Sequence, residues 1–364
     1  MSAEPRRATT FLLAALVCTS PARAGGPVSI VLDVTGYGDN TEFARNPLRE
    51  GETTFGASLR VFASAKIAGN VEFRGGAFVN QRFGSDKRVD IVRPIIAVAI
   101  GAPHNRFVFG TLESANAREG FGPDLAGPHG LLPAVQIETL AFNRPYEAGL
   151  QWLFDRGRLH SDTWLNWQVV ATPSRREVFD VGTVTRARVA GPLSLGLQLH
   201  EMHHGGQIAT GGPVSDSFVS AAGLVLSPHL PGADRVCLEL YGLKSLHDPD
   251  RSRDEDEVRG TAVFLRGSVE KWHWRLHGIY WRGTRYVKEE GDPNYFSYDE
   301  ELRGIAGGRS YQEAGLARLF KVAPSVSVEA SARLHRIFGK LEYSYRILAR
   351  AGDTWPLRGG APAP

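Results

Sequence analysis

The 364-residue sequence has little cysteine, with only Cys18 and Cys237. Cys18 lies in a leader-like segment, so the rest of the chain can form no intrachain disulfide and no cysteine-rich metal site. Long apolar runs are also missing. Beyond the N-terminus the longest is Ile95 to Ile100, far short of the ~18 residues that a spanning helix needs. Charge of one sign is missing too. Without residues 1–24 the chain keeps 39 basic and 38 acidic residues, which excludes nucleic-acid binding by bulk charge. With 42% apolar residues, the composition excludes a disordered chain. The mean hydropathy of −0.20 does not exclude every membrane protein. In a membrane β-barrel only every second residue faces lipid, so the average stays ordinary.

The N-terminus carries a signal. Arg6 and Arg7 precede an apolar stretch from Phe11 to Cys18, and Ala22-Arg23-Ala24 follows. A basic region, a short apolar region and a small-x-small site read as a secretory signal peptide over residues 1–24. The mature chain is then expected to begin at Gly25.

Elsewhere the apolar period is two. Leu193, Leu195, Leu197 and Leu199 alternate with Ser194, Gly196, Gln198 and His200. Val326, Val328, Ala330, Ala332 and Leu334 alternate with Ser327, Glu329, Ser331, Arg333 and His335. Leu341, Tyr343, Tyr345 and Ile347 alternate with Glu342, Ser344, Arg346 and Leu348. Such alternation predicts half-buried strands. About sixteen are expected, from 27–37 to 340–350. Long polar connections such as 38–52, 114–145, 247–256 and 285–309 alternate with short ones such as 67–69, 102–104 and 190–191. A soluble secreted β-sandwich or lectin has similar alternation, but not this order of loop lengths.

The fold expected is therefore all-β: a transmembrane antiparallel barrel over residues 25–350, with short periplasmic turns, long extracellular loops and a C-terminal tail at 351–364. Hydrocarbon offers no water to an open sheet edge, so such a sheet must close. Aromatic pairs near strand ends suit interfacial girdles: Trp152 and Phe154, Trp164 and Trp167, Trp272 and Trp274, Tyr280 and Trp281, Tyr343 and Tyr345.

On this signal peptide, strand count and loop pattern the chain resembles the bacterial outer-membrane porin class. The resemblance covers nearly the whole mature chain and implies residence in the bacterial outer membrane, contact with outer-membrane lipid and passive passage of small polar solutes or ions. A homotrimer is a further implication. An export conduit for a polymer such as an exopolysaccharide, or a sleeve for a partner protein, would use the same fold. The resemblance also implies that the 114–145 loop folds into the pore, where Arg118, Glu119, Asp124, His129 and Glu138 would form the constriction. One departure is the segment after Trp355, where porins end on an aromatic strand residue.

Strand parity places Arg60, Arg74, Arg186, Arg188, Arg275, Arg333 and Arg346 toward the lumen. It places Asp33, Glu72, Glu147, Asp162, Asp180, Glu239, Glu329 and Glu342 there as well. Opposed ladders of both signs would set a transverse field across the pore.

His200-Glu201-Met202-His203-His204 spells H-E-x-x-H. On a helix the two outer histidines would share a zinc ion. Here the run continues a strand, where residues four apart lie ~13 Å from each other. They cannot chelate together, and the three histidines are expected at the outer rim. Residues 248–257 lack the spacing of an EF-hand loop. No G-x-S-x-G, P-loop or C-x-x-C-H occurs. The sequence alone thus predicts a barrel that is not an enzyme and needs no metal or cofactor.

Overall fold

The computed structural model describes residues 28–113, 127–206, 208, 211–298 and 308–357. The expected leader, the loop residues Arg118, Glu119 and Asp124, and the end of the expected tail lie outside the described residues.

Alternating side chains build sixteen strands. In chain order they are β1 (Val28–Glu42), β2 (Glu52–Ala68), β3 (Val71–Arg82), β4 (Ile91–Ala102), β5 (Asn105–Thr111), β6 (Ala148–Arg156), β7 (Leu159–Val169) and β8 (Glu177–Ala190). They continue as β9 (Leu193–Gly205), β10 (Ser215–Leu226), β11 (Arg235–Asp248), β12 (Val258–Lys271), β13 (Trp274–Thr284), β14 (Arg309–Ala323), β15 (Val326–Ile337) and β16 (Lys340–Leu357). Each pairs antiparallel with the next, and β1 pairs with β16 to close the barrel. Among the described residues one short α-helix, α1 (Leu140–Asn143), lies in the β5–β6 connection.

β16 runs past the expected boundary at residue 350. Val28 pairs with Leu357 and Ile30 with Trp355. The closing strand must match the full length of β1, because an unpaired edge would leave backbone N–H and C=O groups in hydrocarbon. Trp355 thus belongs to the last strand.

The end bearing the described chain ends is the periplasmic one, as the order of turns requires. Its turns are tight. Trp272 and His273 join β12 to β13 with positive φ of 51° and 66°, the geometry of a mirror-image two-residue hairpin turn. Phe338 and Gly339 make a similarly tight outer turn, with φ of 49° and 78°. One outer connection is therefore short.

Parity sorts the two faces. Leu195, Leu197, Leu238, Leu240 and Ile347 are exposed to the membrane side, whereas Gln198, Glu239 and Arg346 are buried in the lumen. Trp152, Trp167, Trp274, Tyr343 and Tyr345 point outward as girdle residues should. Trp164 and Trp281 do not. Each occupies an inward position and is buried, which corrects the girdle expectation for both. Gly182 makes the first possible: a Cβ there would meet the Trp164 ring at 2.3 Å.

The outer half of the lumen is filled. Leu131, Leu132, Ala134 and Val135 of the β5–β6 connection share one apolar core with Tyr286 and Tyr295 of the β13–β14 connection. The two connections are knitted by backbone. Ile137 N–H donates to Glu290 O at 2.6 Å, and Asp292 N–H to Pro133 O at 2.9 Å. The Tyr286 hydroxyl donates to Ala134 O at 2.8 Å. The β1–β2 connection joins them through Asn46, whose amide donates to Asn294 Oδ1 at 2.8 Å. Below this plug a cavity of about 1190 Å³ remains in the periplasmic half, with Asp33, Arg60, Arg74, Glu113, Asp162 and Arg350 on its wall.

Candidate active site

The plug is held to the wall by charge. His129 is fully enclosed between Glu147 and Asp162, 2.8 Å from each carboxylate. Its ring stacks on Trp164 with centroids 3.8 Å apart. Burial disfavours the imidazolium, but the two carboxylates outweigh it and push His129 up to about 10. At neutral pH it is a cation: Nδ1 donates to Asp162, and Nε2 forms an ion pair with Glu147. The Leu132 N–H adds a bond to Gln198 Oε1 at 2.8 Å.

On the opposite wall Glu138 meets two arginines. Arg333 and Arg346 both donate to Glu138 Oε1, the latter at 2.9 Å. Burial raises the Glu138 carboxyl, yet the two guanidinium groups hold it at about 2. Arg346 also donates to Asp39 at 2.6 Å. One loop thus spans the bore from β6–β9 to β15–β16.

The other parity-assigned residues pair along the wall. Arg74 and Arg106 share Glu72 and Glu113. Arg186 and Arg266 share Glu239. Arg275 reaches Glu329 at 3.3 Å. Arg60 donates to Pro145 O, and Asp33 is its register partner on β1. Glu342 accepts from the Arg45 N–H. Arg188 is exposed near the periplasmic end of β8. Arg74, Arg186 and Arg275 are therefore paired with carboxylates that parity also placed inward.

A chemically sharper group lies beside the Glu138 pin. Ser344 Oγ is 2.8 Å from His335 Nε2. The Tyr311 hydroxyl is 2.6 Å from His335 Nδ1 and 2.6 Å from Glu313 Oε2. Glu313 Oε2 is 3.5 Å from Nδ1 directly. Glu313 also faces His277 Nε2 at 2.9 Å. The donors can be assigned from chemistry. A carboxylate only accepts, so the single Tyr311 proton goes to Glu313. The Tyr311 oxygen then accepts from His335 Nδ1–H. In neutral His335 this leaves Nε2 bare and able to accept from the Ser344 hydroxyl. That is the tautomer a general base requires.

Topology brings these residues together. Glu313 and His335 are register partners on β14 and β15. Ser344 on β16 pairs with Arg333 on β15. Inward parity aims all of them into the lumen. Phe43 covers the group, with its ring edge-on to His335 at 5.0 Å. An acid, an imidazole and a hydroxyl in this order form the general arrangement of a serine acyl hydrolase, with an arginine beside the nucleophile. Parity placed Ser344, Arg333 and Glu342 inward, but left Glu313, His277 and Tyr311 unsingled. Their shared inward parity on β13–β15 was the available signal.

The H-E-x-x-H run divides as strand geometry requires. His203 contacts Asp216 at 2.6 Å and His204 contacts Glu289 at 2.6 Å. His200 is not at the rim as expected but fully enclosed in the lumen, 3.5 Å from Asp180. The reason is parity: His200 continues the inward series Gly196 and Gln198.

Comparison with known proteins adds two findings. A family model described as "Lipid A 3'-O-deacylase-type" matches residues 20–358. Among solved structures, the loop L8 deletion mutant of OmpT from Vibrio cholerae aligns with a TM-score of 0.55 at 11% identity, covering 91% of this chain and all of that one. OccK8 (OprE) from Pseudomonas aeruginosa aligns at 0.55 and 12% identity, covering 91% and 98%. The trimer form of Vibrio cholerae OmpT aligns at 0.52 and 10%. No curated protein matches the sequence significantly. The neighbours agree with the sixteen-strand outer-membrane barrel. The family match overturns the expectation that the chain is not an enzyme, since the family is defined by an ester-cleaving activity.

Proposed function

We propose that this chain, which belongs to the lipid A 3'-O-deacylase-type family, is an outer-membrane ester hydrolase that removes acyl chains from an acylated glycolipid of the lipid A type. The Ser344–His335–Tyr311–Glu313 relay carries the reading. His335 Nε2 takes the Ser344 proton as Oγ attacks the ester carbonyl. Arg333, the register partner of Ser344 and held by Glu138, would supply positive charge for the oxyanion that develops. The sugar alkoxide leaves with the proton from His335, and the acyl group stays on Ser344. Water, activated by the same nitrogen, releases the fatty acid. Tyr311 and Glu313 hold the imidazole tautomer. The β1–β2 segment around Phe43 and Arg45 covers the site.

The test is lipid A incubated with detergent-folded protein and followed by mass spectrometry. Loss of one ester-linked acyl chain with wild type, and no loss with Ser344→Ala, supports the reading. Equal hydrolysis by both proteins overturns the role of Ser344. No hydrolysis by wild type overturns the activity.

A second reading, passage of small polar solutes or ions, is favoured by the charged periplasmic cavity. Asp33, Arg60, Arg74 and Glu113 would then sort solutes once the plug withdraws from Arg333 and Arg346. Single-channel recording tests it. Steady conductance that rises when the Glu138 pin is removed supports a gated conduit, and silence from both proteins opposes it.

A further inference from the structure

Three inward or lumen-filling side chains converge on the other wall from the hydrolase relay. Asp180 lies on β8, His200 on β9 and Glu290 in the β13–β14 connection. One ligand atom from each lies within 4.8 Å of the other two. His200 is fully enclosed, and neither of its ring nitrogens has a hydrogen-bond partner. Enclosing an imidazole without partners for either nitrogen is costly.

The spacing explains the cost. His200 Nε2 is 3.5 Å from Asp180 Oδ1, too long for a good hydrogen bond. It is close to the ~3.4 Å edge of a tetrahedron with metal–ligand bonds of ~2.1 Å. The carboxylates are already oriented. Asp180 accepts from Trp164 Nε1 at 2.8 Å, Asn166 Nδ2 at 2.7 Å and Gln168 Nε2 at 2.9 Å. Gln168 Nε2 also reaches Glu290 Oε1 at 3.1 Å, so one amide ties the two acids together. Arg144 donates to the same Oε1 and Gln136 Nε2 to Oε2 of Glu290. Such outer partners fix ligand orientation in metal sites.

We propose that Asp180, His200 and Glu290 bind one divalent transition cation of the zinc class, locking the plug to the β8–β9 wall. One imidazole and two carboxylates make a borderline-hard donor set suited to zinc, with a fourth position left for water. The cations facing the cluster are Arg144, on Glu290, and Lys288, which donates to Ser217 O at 2.7 Å. The inference does not depend on the hydrolase reading, because the two sites share no residue.

The test uses full-length, detergent-folded protein stripped with EDTA, loaded with Zn²⁺ and dialysed. Mass-spectrometric metal analysis should give about one zinc per chain in wild type. His200→Ala and Glu290→Gln should each lower this at least tenfold, while His204→Ala should keep it. Co²⁺ loading should give a tetrahedral visible spectrum in wild type that is absent from Glu290→Gln, a loop variant that leaves the strands intact. A heat-modifiable gel shift confirms that each variant has folded. Wild type without retained zinc overturns the proposal. So does His200→Ala or Glu290→Gln retaining as much as wild type.

Discussion

The hydroxyl of Ser344 lies 2.8 Å from Nε2 of His335, on a wall of the lumen where β15 and β16 bring the two side chains together. Neither residue is near the other in any linear motif. Antiparallel register supplies the contact, and inward parity supplies the direction.

Tyr311→Phe should lower kcat toward ~10²-fold and leave KM unchanged. The variant removes the proton bridge to Glu313 without altering the ring packing against Tyr295. Steady-state kinetics on a soluble chromogenic acyl ester checks this. An unchanged kcat would show that His335 needs no orienting partner.

Glu138→Gln should destabilise the folded barrel. It leaves Arg333 without its strongest partner and Arg346 with Asp39 alone. Breaking a buried ion pair costs about 3–5 kcal/mol. The guanidinium midpoint of refolded protein in detergent should fall, and the gel-shift temperature should drop with it.

The plug should respond to pH at both extremes. His129 is raised to about 10 by its carboxylates, so its contribution is complete below ~6.5 and is lost as pH rises through about 10. Glu138 is held at about 2, so its contribution is complete above ~4.5 and is lost as pH falls toward about 2. Both pins are therefore intact between ~4.5 and ~6.5. Indole emission from Trp164, which stacks on His129, should change on the alkaline side. His129→Phe should abolish that alkaline transition.

Gly182→Val should displace Trp164, whose ring occupies the space a Cβ would need at 2.3 Å. The His129 stack and the Trp164–Asp180 bond should weaken together. A lower gel-shift temperature, with the barrel still folding, is the expected result.

The strands were legible because lipid and lumen impose opposite chemistry on alternate residues. Leu195 and Leu197 against Gln198 is a pattern that a single sequence can display. Charges such as Arg275 and Glu329 were legible as inward for the same reason. Their pairing was not, since register between strands sets it. Trp164 and Trp281 were misread because an aromatic near a strand end fits both a girdle and a core. The H-E-x-x-H run lies on β9, which sets its two outer histidines four strand residues apart. Only tertiary closure brings His200 to Asp180 and Glu290, from three separate elements. The hydrolase relay was invisible because it draws on β14, β15 and β16 with no local spacing rule.

The central claim is ester hydrolysis at Ser344, and lipid A mass spectrometry tests it most directly. Wild type should remove an ester-linked acyl chain, and folded Ser344→Ala should leave lipid A intact. Identical acyl loss from both, or intact lipid A with both, would contradict the account.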